Sequence, residues 1–339
     1  MNKPELLWRG VWGLDISDVS GPISGGAVIF ARNLDKNPET GPERLYNLNR
    51  DIQRNWGAEC PVAIAIDQEG GKVSRLKAWT GETPSLRKIW LSGGADACGR
   101  WGRLWGEGLC HLGISVNFAP VFDLFDGRED TGLGYRCASE DPEEVCYAAG
   151  AFLNGLESAG VRGCLKHFPG LGGTLVDSHS TMPFIDDPLV IAKNVKPFLR
   201  FANPDRLIMV AHLQTTETNG LPASLHRGHV LENRWGIKAR WIPDDMEMGG
   251  CQASDWRERV KLAIEAGHIA LLVCQSQEAV QRAAEAAELL DDSLAQPAIE
   301  AFRSLRRTLK PMPDAFDKAS WDAWVCEVRR QAETINASD

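Results

Sequence analysis

The sequence predicts a single (β/α)8 barrel with a C-terminal helical extension packed on it, and three observations point there. Eight short apolar runs alternate with amphipathic stretches along the 339 residues. Several of those runs are continuously apolar, as strands covered on both faces by helices are. Polar residues stand at or just past the C-terminal end of seven of them: Asp15, Arg32, Asp67, Asp123, Lys166, His212 and Asp244. In a barrel all strand ends converge on the one face where sites are built, whereas an open doubly wound sheet gathers only those beside its switch point.

In chain order the expected strands are 11–15, 26–31, 62–66, 114–119, 161–165, 207–211, 239–242 and 269–274. Between them, 43–56, 97–112, 143–159, 189–202 and 256–266 show the 3.6-residue apolar period of helices packed on a sheet. After Cys274 the chain turns helical and charged. Trp321, Trp324, Val325 and Val328 form a stripe at helical spacing that is expected to lie on the barrel wall. No Pro-, Gly- or Ser-rich linker separates this part, so residues 1–310 are read as the barrel and 311–339 as an extension of the same domain.

Composition is that of an ordinary globular chain, with 43% hydrophobic and 24% charged residues. A net charge of −9 without a basic run argues against nucleic acid as a partner. No apolar run of spanning length and no secretory apolar segment is present, so no membrane association is expected. The nine cysteines show no CxxC pair and read as reduced thiols, most of them buried, in a cytoplasmic protein.

Chemistry concentrates in Lys166-His167-Phe168-Pro169-Gly170-Leu171-Gly172-Gly173 and the residues up to His179. Residues two apart in an extended loop point the same way, so the Asp177 carboxylate can reach the His179 ring. A carboxylate on one ring nitrogen fixes the tautomer and makes the other nitrogen a proton donor and acceptor on a mobile stalk. Asp244-Asp245 ends the seventh strand. Alternation lets one carboxylate face the barrel mouth as a nucleophile while its neighbour caps the following helix. Asp67-Gln68-Glu69-Gly70-Gly71, with Arg75, reads as a close backbone approach beside a carboxylate and a guanidinium fork. The glycines form no phosphate loop and no dinucleotide fingerprint. A metal held by Asp177, His179 and His167 is the lesser reading, and no metal is expected.

Four motifs together carry a family resemblance. Gly25-Gly26-Ala27-Val28-Ile29-Phe30-Ala31-Arg32-Asn33, Ile66-Asp67-Gln68-Glu69-Gly70-Gly71, Asn117-Phe118-Ala119-Pro120-Val121-Phe122-Asp123-Leu124 and Lys166-His167-Phe168-Pro169-Gly170 resemble glycoside hydrolase family 3, in family order from about Trp12 to Cys274. Asp177-Ser178-His179 is similar to its bacterial β-N-acetylglucosaminidase branch. Most of the family takes a glutamate acid/base from a second domain, for which 339 residues leave no room. The resemblance implies a cofactor-free barrel with Asp244 as nucleophile, His179 as acid/base and Asp177 as its orienter. It implies that Asp67, Arg75, Arg136, Lys166 and His167 hold the sugar, with His212 beneath them. It further implies a retaining exo-β-N-acetylglucosaminidase acting on a carbohydrate, namely peptidoglycan fragments in cell-wall recycling, as a monomer. Leu171, Tyr135 with Cys137, and Pro243 depart from the family pattern at the mouth. The alternatives are a β-N-acetylglucosaminide phosphorylase, another family 3 β-glycosidase, or a sugar-binding barrel without catalysis.

Overall fold

The computed structural model describes residues 2–129, 132–174, 182–251 and 255–337. Eight parallel strands run β1 (Leu7–Gly10), β2 (Gly26–Ile29), β3 (Ala63–Ile66), β4 (Val116–Asn117), β5 (Arg162–Phe168), β6 (Leu207–Val210), β7 (Arg240–Pro243) and β8 (Leu271–Val273). They lie in the order β7-β6-β5-β4-β3-β2-β1-β8. The sheet closes on itself: Trp241 bridges His268, and the Ile269 and Met246 amides donate to the Trp241 and Leu272 carbonyls, both at 2.9 Å. Closure leaves no unpaired edge. The expected barrel is therefore what the chain builds.

Eight principal helices surround it: α1 (Gly41–Trp56), α2 (Leu86–His111), α3 (Pro142–Ser158), α4 (Pro188–Phe201), α5 (Trp256–Ala266), α6 (Gln277–Glu288), α7 (Asp292–Arg307) and α8 (Lys318–Asn336). Their starts follow capping chemistry. Side chains of Ser85, Asp141, Asp187, Asp255, Ser276 and Asp317 accept the first free amides of α2, α3, α4, α5, α6 and α8. Helix α2 begins eleven residues before the expected position 97, because Gly93 and Gly94 interrupt its helical backbone and hide the first half from a periodicity reading.

The first strand is the one clear displacement. It was expected at 11–15 and lies at Leu7–Gly10. Arg9 breaks the apolar run on paper, yet its side chain is buried, stacked 4.4 Å from Trp56 and hydrogen-bonded to the Pro22 carbonyl at 3.1 Å. A guanidinium with an aromatic face and carbonyl acceptors can occupy a strand position that charge alone would exclude. Asp15 consequently lies off the strand end, where it pairs with Arg44. Arg32 likewise stays out of the cavity and binds the Val11 and Cys274 carbonyls, tying the ends of β1 and β8 together.

Inside the barrel, alternation decides which side chains meet. Trp8, Val28, Ala63, Ala65, Val116, Cys164, Leu207, Met209, Ile242 and Leu272 point inward and pack together, and Phe302 and Leu305 of α7 join them. Trp8 is the largest of these. It fits because Gly26 on the neighbouring strand has no side chain, and a Cβ there would lie 2.3 Å from the indole.

Helix α8 covers the outer wall as its stripe predicts: Trp321, Trp324 and Val328 are buried. The Trp324 indole donates to the Leu104 carbonyl at 2.6 Å and lies across Gly108 of α2. A Cβ at Gly108 would come within 2.1 Å of the Trp324 ring. Helix propensity alone favours Ala there by about 1 kcal/mol. We therefore expect Gly108→Ala to lower stability by about 1–3 kcal/mol through overpacking. Urea unfolding of the two proteins checks the sign, and a stabilised variant contradicts the packing of α8.

Candidate active site

Two-residue alternation carries the inward rows out of the core and into the mouth. Two residues beyond Val28, Ala65, Val116, Cys164, Ile242 and Leu272 stand Phe30, Asp67, Phe118, Lys166, Asp244 and Cys274, all of which line one cavity of about 490 Å³. The strands thus deliver one carboxylate, one ammonium and a second carboxylate to the same space, from β3, β5 and β7. Its floor is the top of the packed core, so the cavity is blind at its lower end.

A register irregularity between Leu165 and Phe168 of β5 lets the next residue, His167, line the cavity as well. His167 is held from behind by Asp123, which is fully buried. The Asp123 carboxylate accepts the ring Nδ1–H at 2.6 Å, the His167 amide at 3.1 Å and the Leu171 amide at 2.8 Å. A carboxylate on Nδ1 leaves Nε2 for a ligand.

The cations are fixed by a cluster of charges. Lys166 contacts Asp67 at 3.0 Å and Glu69 at 2.5 Å. Arg136, from the turn after β4, forks onto both oxygens of Glu69 at 2.8 and 2.9 Å. Arg75 reaches Asp67 at 3.5 Å and lies 5.3 Å from the Phe30 ring. Burial favours a neutral Glu69, but Arg136 and Lys166 outweigh it and hold the carboxyl well below its usual range. Burial likewise opposes the Lys166 charge, which Glu69 and Asp67 restore and strengthen.

Asp244 and Asp245 part company at the end of β7. Asp244 faces the cavity. Burial alone would raise its carboxyl, yet His167, His212, the Asp245 amide and Lys166 hold it below the ordinary aspartate value. Asp245 does not cap a helix, contrary to expectation; Asp255 does that for α5. The Asp245 carboxylate instead accepts from Glu247 N, Cys274 N and Gln275 Nε2, joining the ends of β7 and β8. Burial, as the largest cause, pushes it up to about 6. His212, fully buried beneath them, contacts the Asp245 carbonyl at 3.0 Å and Ser224 at 2.7 Å.

Of the residues singled out in the sequence, Asp67, Arg75, Arg136, Lys166, His167 and Asp244 come together in this cavity. Asp177 and His179 lie outside the described residues. The stem that leads to them is pinned. Asn194 of α4 donates to the Gly170 and Gly172 carbonyls at 3.2 and 2.8 Å, and Arg128 donates to the Thr174 carbonyl at 2.6 Å. Leu171, one of the departures from the family pattern noted above, lines the cavity wall. Sequence reasoning passed over Glu69, Asp126, Arg128, Met248 and Gln275, which also line it. Only Glu69 had a readable signal, because it stands two residues after Asp67 and so shares its side. Among the described residues no group of three or more His, Cys, Asp or Glu is arranged to hold a metal ion, and no helix is long and apolar enough to cross a membrane.

Comparison with known proteins agrees with this architecture. Residues 16–308 match the glycosyl hydrolase family 3 N-terminal domain. A beta-hexosaminidase of Tolumonas auensis is 32% identical over 266 residues, covering 76% of this chain and 77% of its own. One from Methylococcus capsulatus is 31% identical over 277 residues, covering 79% and 80%. The crystal structure of NagZ from Neisseria gonorrhoeae, in complex with N-trifluoroacetyl-D-glucosamine, shares the fold with a TM-score of 0.77 at 24% identity, covering 96% of this chain and 98% of that one.

The raised Asp245 carboxyl has a thermodynamic consequence. An acid whose folded value lies above its unfolded one contributes stability below the unfolded value and loses it as pH rises through the folded one, here about 6. Asp245→Asn removes that dependence. We expect the variant to gain on the wild type as pH is raised from about 4.5 to about 7.5, read by denaturant midpoints. A gap that stays constant across this range contradicts the burial of an ionising Asp245.

Proposed function

The chain belongs to glycosyl hydrolase family 3, and on that premise we propose that it is a retaining, exo-acting β-N-acetylglucosaminidase. As a glycoside hydrolase its substrate is a carbohydrate. The observation that carries the narrower reading is an ionised Asp244 on the wall of a blind cavity lined by carboxylate, guanidinium and ammonium groups. A blind cavity admits the end of a glycan and stops it there, which favours removal of one terminal sugar at a time. The names of the beta-hexosaminidase relatives support an N-acetylhexosamine in that position.

In the proposed reaction Asp67, Arg75, Arg136, Lys166 and His167 bind the sugar hydroxyls. Asp244 attacks the anomeric carbon while protonated His179, oriented by Asp177, gives its proton to the leaving oxygen. The C–O bond to the aglycone breaks and a glycosyl-aspartate forms. Water, losing a proton to the now neutral His179, displaces Asp244 and restores both groups, so two inversions give retention. Keeping Asp244 ionised suits a nucleophile, and the family pattern gives the imidazole the role that a second carboxyl plays elsewhere. The proposed natural substrates are peptidoglycan fragments, anhydro-muropeptides, in cytoplasmic cell-wall recycling. In this reading the chain works as a monomer, with residues 311–339 an integral extension of the catalytic domain formed by residues 1–310.

Aryl β-N-acetylglucosaminide and aryl β-glucoside, offered to the wild type and to His179→Ala, test the reading. We expect preference for the acetamido sugar. We also expect the variant to lose on the order of 100-fold or more with poor leaving groups and much less with good ones, since only the former need the proton. Equal losses across leaving groups remove His179 from the acid role. Strong stimulation by phosphate, with sugar 1-phosphate as product, makes the enzyme a phosphorylase. Binding of N-acetylglucosamine without turnover makes it a lectin-like barrel.

A further inference from the structure

We infer that Glu69 is a positioning residue of this site: its buried carboxylate holds Arg136 and Lys166 in the orientation from which their remaining N–H groups bind hydroxyls of the terminal sugar. The inference rests on the glycosidase reading above and assigns a role to a residue outside the proposed binding and catalytic sets.

Four observations carry it. First, Glu69 is placed by a rigid backbone. Asn117 of β4 exchanges two 2.9 Å hydrogen bonds with the Gln68 amide and carbonyl, and the Gln68 side chain binds Ser74 and the Leu76 amide. Second, Glu69 follows Asp67 by two and lines the same cavity, yet it is only 7% exposed. Third, both of its oxygens are bonded to protein cations. Oε2 accepts Arg136 Nε, while Oε1 accepts both Arg136 Nη2 and Lys166 Nζ. Fourth, the donors left over belong to the cations. An ammonium has three N–H groups, and Lys166 gives one to Asp67 and one to Glu69. A guanidinium has five, of which Arg136 gives two to Glu69 and one to the Gly132 carbonyl. Among the described residues no partner takes the one N–H left on Lys166 or the two left on Arg136, and both groups line the cavity.

Without Glu69 the two cations would share one pocket wall with Asp67 as the close anion, free to rotate and repelling one another. Glu69→Gln keeps the shape but presents an amide N–H2 to one of the cations. The variant thus loses orientation before it loses contact with the substrate.

The experiment measures kcat/KM of wild type and Glu69→Gln on an aryl β-N-acetylglucosaminide and on its 3-, 4- and 6-deoxy analogues, with circular dichroism to establish folding. A residue that aims donors at one hydroxyl is coupled to that hydroxyl, so its penalty shrinks when the hydroxyl is absent. We expect Glu69→Gln to lower kcat/KM about 100-fold on the parent and less than about 10-fold on at least one deoxy analogue. An equal penalty on all four substrates overturns the inference and leaves Glu69 as general structural support. Should Glu69→Gln not fold, Glu69→Asp keeps the charge but falls short of reaching both cations, and the same comparison applies to it. If the wild type cleaves none of these glycosides, the glycosidase reading fails separately. Glu69 is then judged by calorimetric binding of N-acetylglucosamine and its deoxy analogues, where an equal penalty on all of them overturns the inference.

Discussion

Four charges, those of Asp67, Glu69, Arg136 and Lys166, meet directly above a barrel interior filled by Trp8, Val28, Ala65 and Met209. Charges at the edge of a packed apolar core are tolerated only when paired and hydrogen-bonded, and removing one partner from such a set typically costs about 3–5 kcal/mol. Here each has at least one partner of opposite sign, and the pairs cross from the segment after β3 to β5 and to the turn after β4. The cluster does two things at once. It locks three elements of the barrel mouth together, and it presents donors and acceptors to the cavity already oriented. Groups that need no reorganisation when a sugar arrives bind it at lower entropic cost.

The same mouth separates two neighbouring carboxyls by environment. Asp244 sees His167, His212 and Lys166 and stays ionised, whereas Asp245 is buried among amides, close to Glu247, and is raised. Alternation along β7 produces that division, since adjacent side chains leave a strand on opposite sides. One residue is thereby free for chemistry while its neighbour staples β7 to β8. Two titratable groups pushed apart in this way commonly mark different roles in a site.

Much of this was legible in the sequence because a parallel barrel converts a one-dimensional pattern into a place. Residues at strand ends face the mouth, and that reading brought Asp67, Lys166 and Asp244 into one cavity without any coordinates. Arg75 was read from its place eight residues after Asp67, as a guanidinium fork, whereas Arg136 was identified through the family resemblance alone. The reading failed where a residue's chemistry runs against its type. Arg9 is a strand residue because Trp56 and a carbonyl shelter it, and Asp245 is a staple because two of its three donors, Cys274 and Gln275, lie just past β8, 29 and 30 residues on. Glu69 escaped notice for a related reason. Its spacing from Asp67 put it on the cavity side, but its partners Arg136 and Lys166 are 67 and 97 positions away, and nothing local announces that it will be buried between two cations. The stem of the 170–174 segment was read as a flexible stalk from its glycines, while Asn194 and Arg128, which anchor it, belong to distant elements.

The central claim is that Asp244 itself forms a covalent bond to the sugar. An acetamido substrate offers a rival, because its own carbonyl oxygen can attack the anomeric carbon and spare the enzyme a nucleophile. Incubation with 5-fluoro-N-acetylglucosaminyl fluoride, whose slow second step accumulates the intermediate, followed by mass spectrometry of the digested protein, separates the two. The account predicts one equivalent of label on the peptide containing Asp244, at that residue. Label on another side chain, or turnover of the compound with no covalent adduct, contradicts it.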